Sequence, residues 1–277
     1  MKHIKHIAIA SLISTATLIA FDAPARVYIV VHGTWASKES WSKPGGKFFN
    51  DLAASAHQFN AHVVSFSWSG KLDNKSRALA GKELAKFIQH YSPDTPICVV
   101  AHSHGANVGI LASHELAKLK SSHIIDKFYA LAPPVNEVDY MPNMHIINHF
   151  YNLFSLQDYV QPVLGIFGRV YPEHPRIANI RIGIEGKQGS HSELHDPIIG
   201  RWIPYIHEQL CHHAMGNFDQ FSFVKPGYVF FFVQETPYYK EDSNRIALLK
   251  YDRELTERVA NALSRSKQEN SYGRTGK

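Results

Sequence analysis

The sequence predicts an α/β fold, a mostly parallel sheet with helices on both faces, followed by a C-terminal extension of one strand and one helix. Continuous apolar runs at residues 26–32 and 96–102 are typical of strands that are buried on both faces. Stretches with apolar residues at helical spacing separate these runs, which favours parallel crossover units. The 277 residues, 44% hydrophobic and 19% charged, are enough for one sizeable core.

Strands and helices alternate regularly up to residue 131. The first strand, 26–32, stops at a glycine, and apolar positions then recur at helical spacing over 47–59. An apolar run at 61–68 predicts the second strand. Two prolines follow the helix that an apolar stripe predicts over 75–91. The same alternation predicts the remaining elements of this half: a strand at 96–102, a helix at 106–120 and a strand at 124–131.

The second half continues the alternation less clearly. Apolar runs predict strands at 145–156 and 177–184, and a helix is predicted from about Ser192 to Leu210. Residues 227–234 form an aromatic run that predicts another strand. Apolar residues at every fourth position predict an amphipathic helix after it: Tyr251, Leu255, Val259 and Leu263. The apolar stretch Val160 to Tyr171 is interpreted either as a lid or acyl-binding wall, or as an ordinary core helix.

The first 25 residues have the pattern of a signal peptide. Met1 to His6 is a short cationic start, Ile7 to Ala20 is uncharged and largely apolar, and Ala23-Pro24-Ala25 offers small residues to a signal peptidase. The apolar run is shorter than the roughly 20 residues that a membrane-spanning helix needs. We therefore predict export to the periplasm or the medium, with a mature protein that begins near Arg26. The alternatives are a membrane anchor that is never cleaved and a buried N-terminal helix.

These divisions predict three parts of the chain. Residues 1–25 are the signal peptide, 26–210 the main α/β domain, and 211–277 an extension that packs on that domain and ends in a frayed basic tail. The formal net charge is +5, but no run of Lys and Arg marks a nucleic-acid surface. We therefore expect no nucleic-acid partner.

The 18 histidines raise the question of a metal site. His191 and His195 have the i, i+4 spacing that places two imidazoles on one face of a helix. However, the glutamate that follows the first histidine in the H-E-x-x-H metalloprotease pattern is missing, since Ser192 stands there. We predict neither a metal nor a cofactor.

A serine directly follows the third predicted strand, in Ala101-His102-Ser103-His104-Gly105. A helix-capping serine and a permissive glycine in a tight turn would explain this stretch, and so would a catalytic nucleophile. In an open parallel sheet, reacting groups collect just past the carboxyl ends of the strands. Because Thr34, Asp158 and His191 also follow predicted strands, the position of Ser103 favours the nucleophile.

Each of these residues has a defined role in nucleophilic catalysis. A serine hydroxyl reacts once a neighbouring imidazole removes its proton, and a carboxylate orients and supports that imidazole. Ser103, His191 and Asp158 supply the three groups in this interpretation. Attack on a carbonyl carbon creates an oxyanion, which backbone N–H donors stabilise. The sequence offers the N–H groups of Thr34 and His104 for this oxyanion hole.

The arrangement resembles the α/β-hydrolase superfamily. That superfamily has a His-Gly loop after its first core strand, a serine in a G-x-S-x-G elbow, and the chain order serine, acid, histidine. The resemblance covers roughly residues 27–210, with Ala101 in place of the first glycine of the elbow. It implies the α/β-hydrolase fold and an acyl-transfer chemistry at Ser103.

The acid and the base each have a competitor. Asp158 could instead cap a turn, and Asp139 follows the fourth predicted strand, although the prolines and polar residues before it favour a loop. His191 follows a Gly-Ser loop and precedes a predicted helix, as the histidine of the superfamily does. His195 would lie one turn into that helix, so we expect His191 to be the base.

The sequence thus predicts a lipase- or esterase-like serine hydrolase that cleaves a carboxylic ester. Its partner would be a small-molecule or lipid ester, with possible contact with a membrane surface. A thioesterase or an acyltransferase would use the same residues. A binding protein that keeps a hydrolase scaffold without the activity is the alternative from another class.

Overall fold

The computed structural model describes residues 25–155, 157–160, 169–172, 174–184, 187–213, 228–232 and 246–250. The predicted signal peptide, apart from Ala25, lies outside these residues, as does the predicted helix over Tyr251 to Leu263. Residues 161–168 also lie outside, so the two interpretations of the apolar stretch from Val160 to Tyr171 both stay predictions.

The nine strands of the described residues form one sheet, in the order β2-β1-β3-β4-β5-β6-β8-β9, with β7 beside β6. Strands β1 to β6 are parallel to one another, and β8 is parallel to β6. Strand β7 is antiparallel to β6, and β9 is antiparallel to β8. The mostly parallel sheet is confirmed. The strands are β1 (Arg26–Val31), β2 (Ala61–Phe66), β3 (Ile97–His102), β4 (Ile125–Leu131), β5 (Ile147–Phe154), β6 (Ile177–Ile184), β7 (Lys187–Gln188), β8 (Tyr228–Phe232) and β9 (Ile246–Lys250).

Helices cover both faces of the sheet, as predicted. They are α1 (Lys47–His57), α2 (Asn74–Ile88), α3 (His104–Lys118) and α4 (Pro197–His213). Side chains from α1 and α4 pack on one face with Tyr28 and Val30, whereas α2 and α3 pack on the other with Val27 and Ile29. Successive side chains of a strand point to opposite faces, so β1 needs a continuous apolar run. None of the described helices is long and apolar enough to span a membrane.

Two local predictions need correction. The single helix predicted from Ser192 to Leu210 is a short 3₁₀ turn at Ser192–His195 followed by α4, which begins at Pro197. Asp196 between them is extended (φ −60°, ψ 143°), because a residue before proline avoids the helical region and proline favours the first helical position. The prediction also missed β9, since a short apolar run fits a helix as well as a strand.

The parallel order places the ends of β1, β3 and β5 on one edge of the sheet. Val31 is paired with Ala101 across β1 and β3, so the loop at Gly33 lies next to Ser103. His102 is paired with Leu131 across β3 and β4. The residues that follow these strands therefore meet at the carboxyl edge, where open α/β sheets bind ligands.

Gly105, the second residue of α3, is required for the close packing of that helix on β1. A Cβ atom at this position would lie 2.5 Å from the carbonyl oxygen of His32 and 2.7 Å from that of Val31. Both obstacles are backbone atoms, so α3 or β1 would have to shift. We expect Gly105→Ala to destabilise the protein by about 1 to 3 kcal/mol, the usual cost of overpacking.

Thermal unfolding followed by circular dichroism measures this cost, which corresponds to a fall of about 3 to 10 °C in Tm for a domain of this size. Lys118→Ala, at an exposed position near the end of the same helix, is the control and should leave Tm nearly unchanged. An unchanged Tm in Gly105→Ala would contradict the close approach of α3 to β1.

Candidate active site

Ser103 lies in a strained turn between β3 and α3. Its φ of 53° and ψ of −132° place a non-glycine residue in a region that L-residues rarely adopt. The Ser103 N–H donates to the carbonyl of Leu131 on the neighbouring strand at 2.8 Å, which holds the turn. The side chain is half-buried, and its hydroxyl makes no hydrogen bond to the described residues. The turn thus presents the serine at the edge of the sheet.

A second glycine brings the loop after β1 against this turn. A Cβ atom on Gly33 would lie 2.9 Å from Cβ of Ser103 and 3.1 Å from the carbonyl oxygen of His102. Only glycine allows the two backbones to approach this closely. The N–H of Thr34, the next residue, is therefore held near Ser103.

The structure brings Asp158 and His191 together. The ring Nδ1–H of His191 donates to Oδ2 of Asp158 at 2.7 Å. The Asp158 side chain is 1% exposed and that of His191 is 13% exposed, so the pair is shielded from water. With Nδ1 protonated, Nε2 of a neutral His191 ring carries a free lone pair and can accept a proton.

The second carboxylate oxygen of Asp158 is also bound. The backbone N–H of Val160 donates to Oδ1 at 3.0 Å. Arg169 holds the backbone of the same loop, because its guanidinium donates to the carbonyl oxygens of Ser155 at 2.8 Å and of Asp158 at 2.7 Å. These bonds fix the loop that carries the acid after β5.

Two buried asparagines hold Arg169 and its neighbours in place. Nδ2 of Asn152 on β5 donates to the carbonyl of Arg169 at 2.8 Å and to Oδ1 of Asn179 at 2.9 Å. Asn179 on β6 exchanges two hydrogen bonds with the backbone of Tyr171, both at 2.9 Å. Since a buried amide is costly unless it is hydrogen-bonded, this pair fixes one backbone position for the segment.

His191 and His195, the two candidates for the role of base, have different surroundings. His195 stacks on Trp41, with ring centroids 4.4 Å apart and planes 6° apart, and its ring is perpendicular to that of His102, with centroids 4.7 Å apart. No hydrogen bond joins it to Asp158 among the described residues, whereas His191 makes that bond. Burial is the main cause that lowers the pKa of His195. His195 thus packs against two aromatic rings, whereas His191 is bonded to the carboxylate.

His102 connects the serine turn to the loop of His191. Because a carbonyl only accepts, Nε2–H of His102 donates to the backbone oxygen of His191, at 3.0 Å. The two rings also lie 4.7 Å apart. Burial, together with the nearby His191 and His195, lowers the pKa of His102 well below its usual value, so this ring is neutral near pH 7. The residue before the serine therefore positions the loop that carries His191.

Hydrogen bonds of His32 hold the loop after β1 in place. Its Nδ1–H donates to the carbonyl of Gly33 at 2.8 Å, and its Nε2 accepts from the N–H of Trp68 at 3.2 Å. The indole N–H of Trp68 returns a bond of 2.7 Å to the carbonyl of His32. Burial lowers the pKa of His32, consistent with a neutral ring that both donates and accepts.

The backbone N–H groups of Thr34 and His104 make no hydrogen bond to another described residue. His104 is the first residue of α3, where backbone donors have no partner in the helix and the helix dipole favours negative charge. Thr34 lies in the loop that Gly33 holds against Ser103. Both groups are thus free to donate to an anion next to the serine.

Asp139, the competitor for the role of acid, makes no hydrogen bond to His191 among the described residues. It is exposed and caps a turn: Nδ2 of Asn136 donates to its carboxylate at 2.9 Å. Its own N–H donates to the side chain of Asn136 at 3.2 Å.

Within the described residues, no group of three His, Cys, Asp or Glu side chains is arranged to hold a metal ion.

The buried histidine His104 should make the folded protein less stable as pH decreases. Burial, with Arg77 and His191 nearby, lowers the pKa of His104 to about 4. In the unfolded chain its pKa is near 6.5. Between these two pH values His104 is protonated in the unfolded chain but neutral in the folded protein. The contribution of neutral His104 to stability is therefore complete above about pH 6.5 and is lost as pH falls toward about 4.

We therefore expect Tm to fall between pH 7.5 and pH 5, and to fall less in His104→Gln. The difference between variant and wild type should be about 1 to 2 kcal/mol, or a few degrees. Thermal unfolding at both pH values measures it, and His62→Gln at an exposed position is the control. Equal pH dependence in wild type and His104→Gln would contradict the neutral, buried state of His104.

Sequence reasoning did not identify several residues that shape this site. Arg169, Asn152 and Asn179 act through backbone and side-chain contacts across 11 to 27 positions of the chain. Trp41 and Trp68 pack under the histidines from other loops. A buried Asn on a predicted central strand is the one available signal, since such a side chain needs partners inside the protein.

A family model agrees with this architecture. The model of the alpha/beta hydrolase family matches residues 28–204. A protein of the alpha/beta hydrolase superfamily from Xanthomonas campestris is similar in structure, with 11% identity over 67% of this chain and 99% of its own, and a TM-score of 0.42. An alpha/beta hydrolase-like protein from Agrobacterium tumefaciens shares 15% identity over 69% and 88% of the two chains, with a TM-score of 0.42.

A type II thioesterase from the yersiniabactin biosynthetic pathway is also similar, with 13% identity over 71% of this chain and 96% of its own, and a TM-score of 0.39. No curated protein matches the sequence. The family match includes most of β1, the serine turn and the loops of Asp158 and His191. Because the match spans well over half of the residues, the chain belongs to the alpha/beta hydrolase family.

Proposed function

We propose that the protein is a serine hydrolase that cleaves a carboxylic ester, of the lipase or esterase kind. The observation that carries this proposal is the 2.7 Å hydrogen bond between His191 and the buried Asp158, at the sheet edge where β3 presents Ser103. The carbonyl of His191 also accepts a hydrogen bond from His102, the residue before the strained serine. A serine hydroxyl is activated by a histidine whose tautomer a buried carboxylate fixes, which is the role we assign to this pair.

In the first step, Oγ of Ser103 attacks the carbonyl carbon of the ester while its proton passes to Nε2 of His191. The imidazolium that forms is stabilised by Asp158, 2.7 Å away. The carbonyl oxygen becomes an oxyanion that accepts hydrogen bonds from the N–H groups of Thr34 and His104. These donors are fixed by the backbone, so they need no reorganisation during the reaction.

The tetrahedral intermediate then collapses. The bond between the carbonyl carbon and the alcohol oxygen breaks, and His191 gives its proton to that oxygen, which leaves an ester on Ser103. Water repeats the sequence: it loses a proton to His191, attacks the acyl carbon and releases the acid, and the proton returns to Oγ of Ser103. No cofactor takes part in these steps.

The proposal is tested with a fluorophosphonate probe, which forms a covalent bond with an activated serine. We expect one equivalent of label on the peptide that contains Ser103, and none after heat denaturation. Absence of labelling on folded protein, together with no turnover of p-nitrophenyl acetate, would reject the hydrolase proposal and favour a binding protein on the same scaffold.

We also propose that the chain is exported and acts on a small-molecule or lipid ester outside the cytoplasm. The support is the cationic start and the short apolar run before Ala23-Pro24-Ala25. N-terminal sequencing of the protein from cell fractions tests this, with a mature end near Arg26 expected. Protein that begins at Met1 in the soluble cytoplasm would reverse the proposal.

A further inference from the structure

An open apolar cavity lies directly beside His191. Its volume is about 520 Å³, within the range of ligand-binding clefts. Trp35, Tyr159 and Val160 supply its apolar wall, and Gln157, Ser190, His191 and Ser192 complete the lining. The cavity therefore shares a wall with the residue to which the proposed mechanism assigns the proton transfers.

Its apolar side chains are unusually exposed. Trp35 is 73% exposed, Tyr159 69% and Val160 44%. They are three of the seven large hydrophobic side chains that are exposed in the described part of the chain, and all three line this one cavity. A cluster of exposed apolar groups is costly in water and typically marks a binding surface.

Trp35 is held in this exposed position by the backbone. Its φ of 60° is unfavourable for a residue with a side chain, and its N–H donates to the carbonyl of Gly70 at 2.8 Å. Strain of this kind persists where the surrounding structure fixes it, commonly at binding sites. Because Trp35 follows Thr34, the same loop that offers an oxyanion donor also aims an indole at the cavity.

We infer that this cavity binds the acyl chain of the ester, and that the protein prefers esters of medium-length apolar acids. This inference rests on the proposed function. The cavity is lined by Trp35, which follows the proposed oxyanion donor Thr34, and by His191, the proposed base. An acyl chain attached to Ser103 would therefore have an apolar cavity next to both groups. The acyl group also stays bound to Ser103 through both steps, whereas the alcohol must leave after the first.

The measurement is kcat/KM for p-nitrophenyl acetate, butyrate and hexanoate. Burial of each added methylene should raise kcat/KM roughly two- to fourfold until the cavity is filled. The ratio of hexanoate to acetate should therefore be at least about tenfold in the wild type. In Trp35→Ala, and separately in Tyr159→Ala, this ratio should fall about five- to tenfold, because one wall of the cavity is removed.

Leu79→Ala is the matched control, since Leu79 is an exposed apolar residue on α2 that does not line the cavity. It should keep the wild-type ratio. A second series, with acetate esters of ethanol, butanol and hexanol, tests the leaving group. In this series the ratio compared is kcat/KM for the hexyl ester over that for the ethyl ester. If Trp35→Ala lowered this ratio and left the ratio of hexanoate to acetate unchanged, the alcohol would occupy the cavity and the inference would be overturned.

A wild type that hydrolyses acetate and hexanoate equally well, with no effect of Trp35→Ala on the ratio, would overturn the inference and leave the hydrolase proposal standing. Failure of the hydrolase proposal is distinguishable from this result. In that case neither ester is turned over and the fluorophosphonate does not label Ser103.

Discussion

Ser103→Ala is expected to lower kcat/KM for p-nitrophenyl esters by about 10⁴-fold or more, while the protein stays folded. The hydroxyl forms the covalent bond to the acyl group, and losses of this size follow removal of a catalytic serine elsewhere. Little stability should be lost, because the Ser103 hydroxyl makes no hydrogen bond to the described residues and the side chain is half-buried. Alanine accepts the same strained φ of 53° with the same Cβ atom.

Initial rates with p-nitrophenyl butyrate and a Tm from circular dichroism measure the two effects separately. Ser92→Ala, at an exposed loop position, is the control and should keep full activity and Tm. If Ser103→Ala retained more than about a tenth of the wild-type activity, another residue would be the nucleophile. If its Tm fell sharply, lost activity would reflect lost structure instead.

The predicted strands of the main sheet could be read from the sequence because a buried parallel strand needs an apolar side chain on both faces. Arg26 to Val31 and Ile97 to His102 show this pattern, and both strands lie within two residues of the predicted bounds. The serine turn was predictable for the same reason, since a polar residue follows an apolar run at the edge where ligands bind. These signals are local in the sequence.

The supporting contacts could not be predicted, because they join segments that are distant in sequence. His102 and His191 are 89 positions apart, yet the ring of one donates to the backbone of the other. Arg169 binds the loop of Asp158 through carbonyl oxygens, which every residue has and which leave no mark in the sequence. The predicted start of the helix at Ser192 is wrong, because Pro197 keeps Asp196 out of the helical region.

The second large effect concerns the two histidines. His191→Ala should reduce kcat/KM nearly as far as Ser103→Ala, because without this imidazole the serine has no base and the alcohol has no acid. His195→Ala should reduce it less than about tenfold, since that ring packs on Trp41 and makes no bond to Asp158. Added imidazole should restore part of the activity of His191→Ala and none of that of Ser103→Ala.

The double variant Ser103→Ala/His191→Ala decides whether the two residues act as one unit. Independent contributions would multiply, so two losses of about 10⁴ would give about 10⁸, whereas groups that act in one step lose little more together than either loses alone. We expect the double variant to match Ser103→Ala within about threefold. If His195→Ala were the inactive variant and His191→Ala the mild one, the bond between His191 and Asp158 would have only a structural role. His195, which stacks on Trp41, would then be the base.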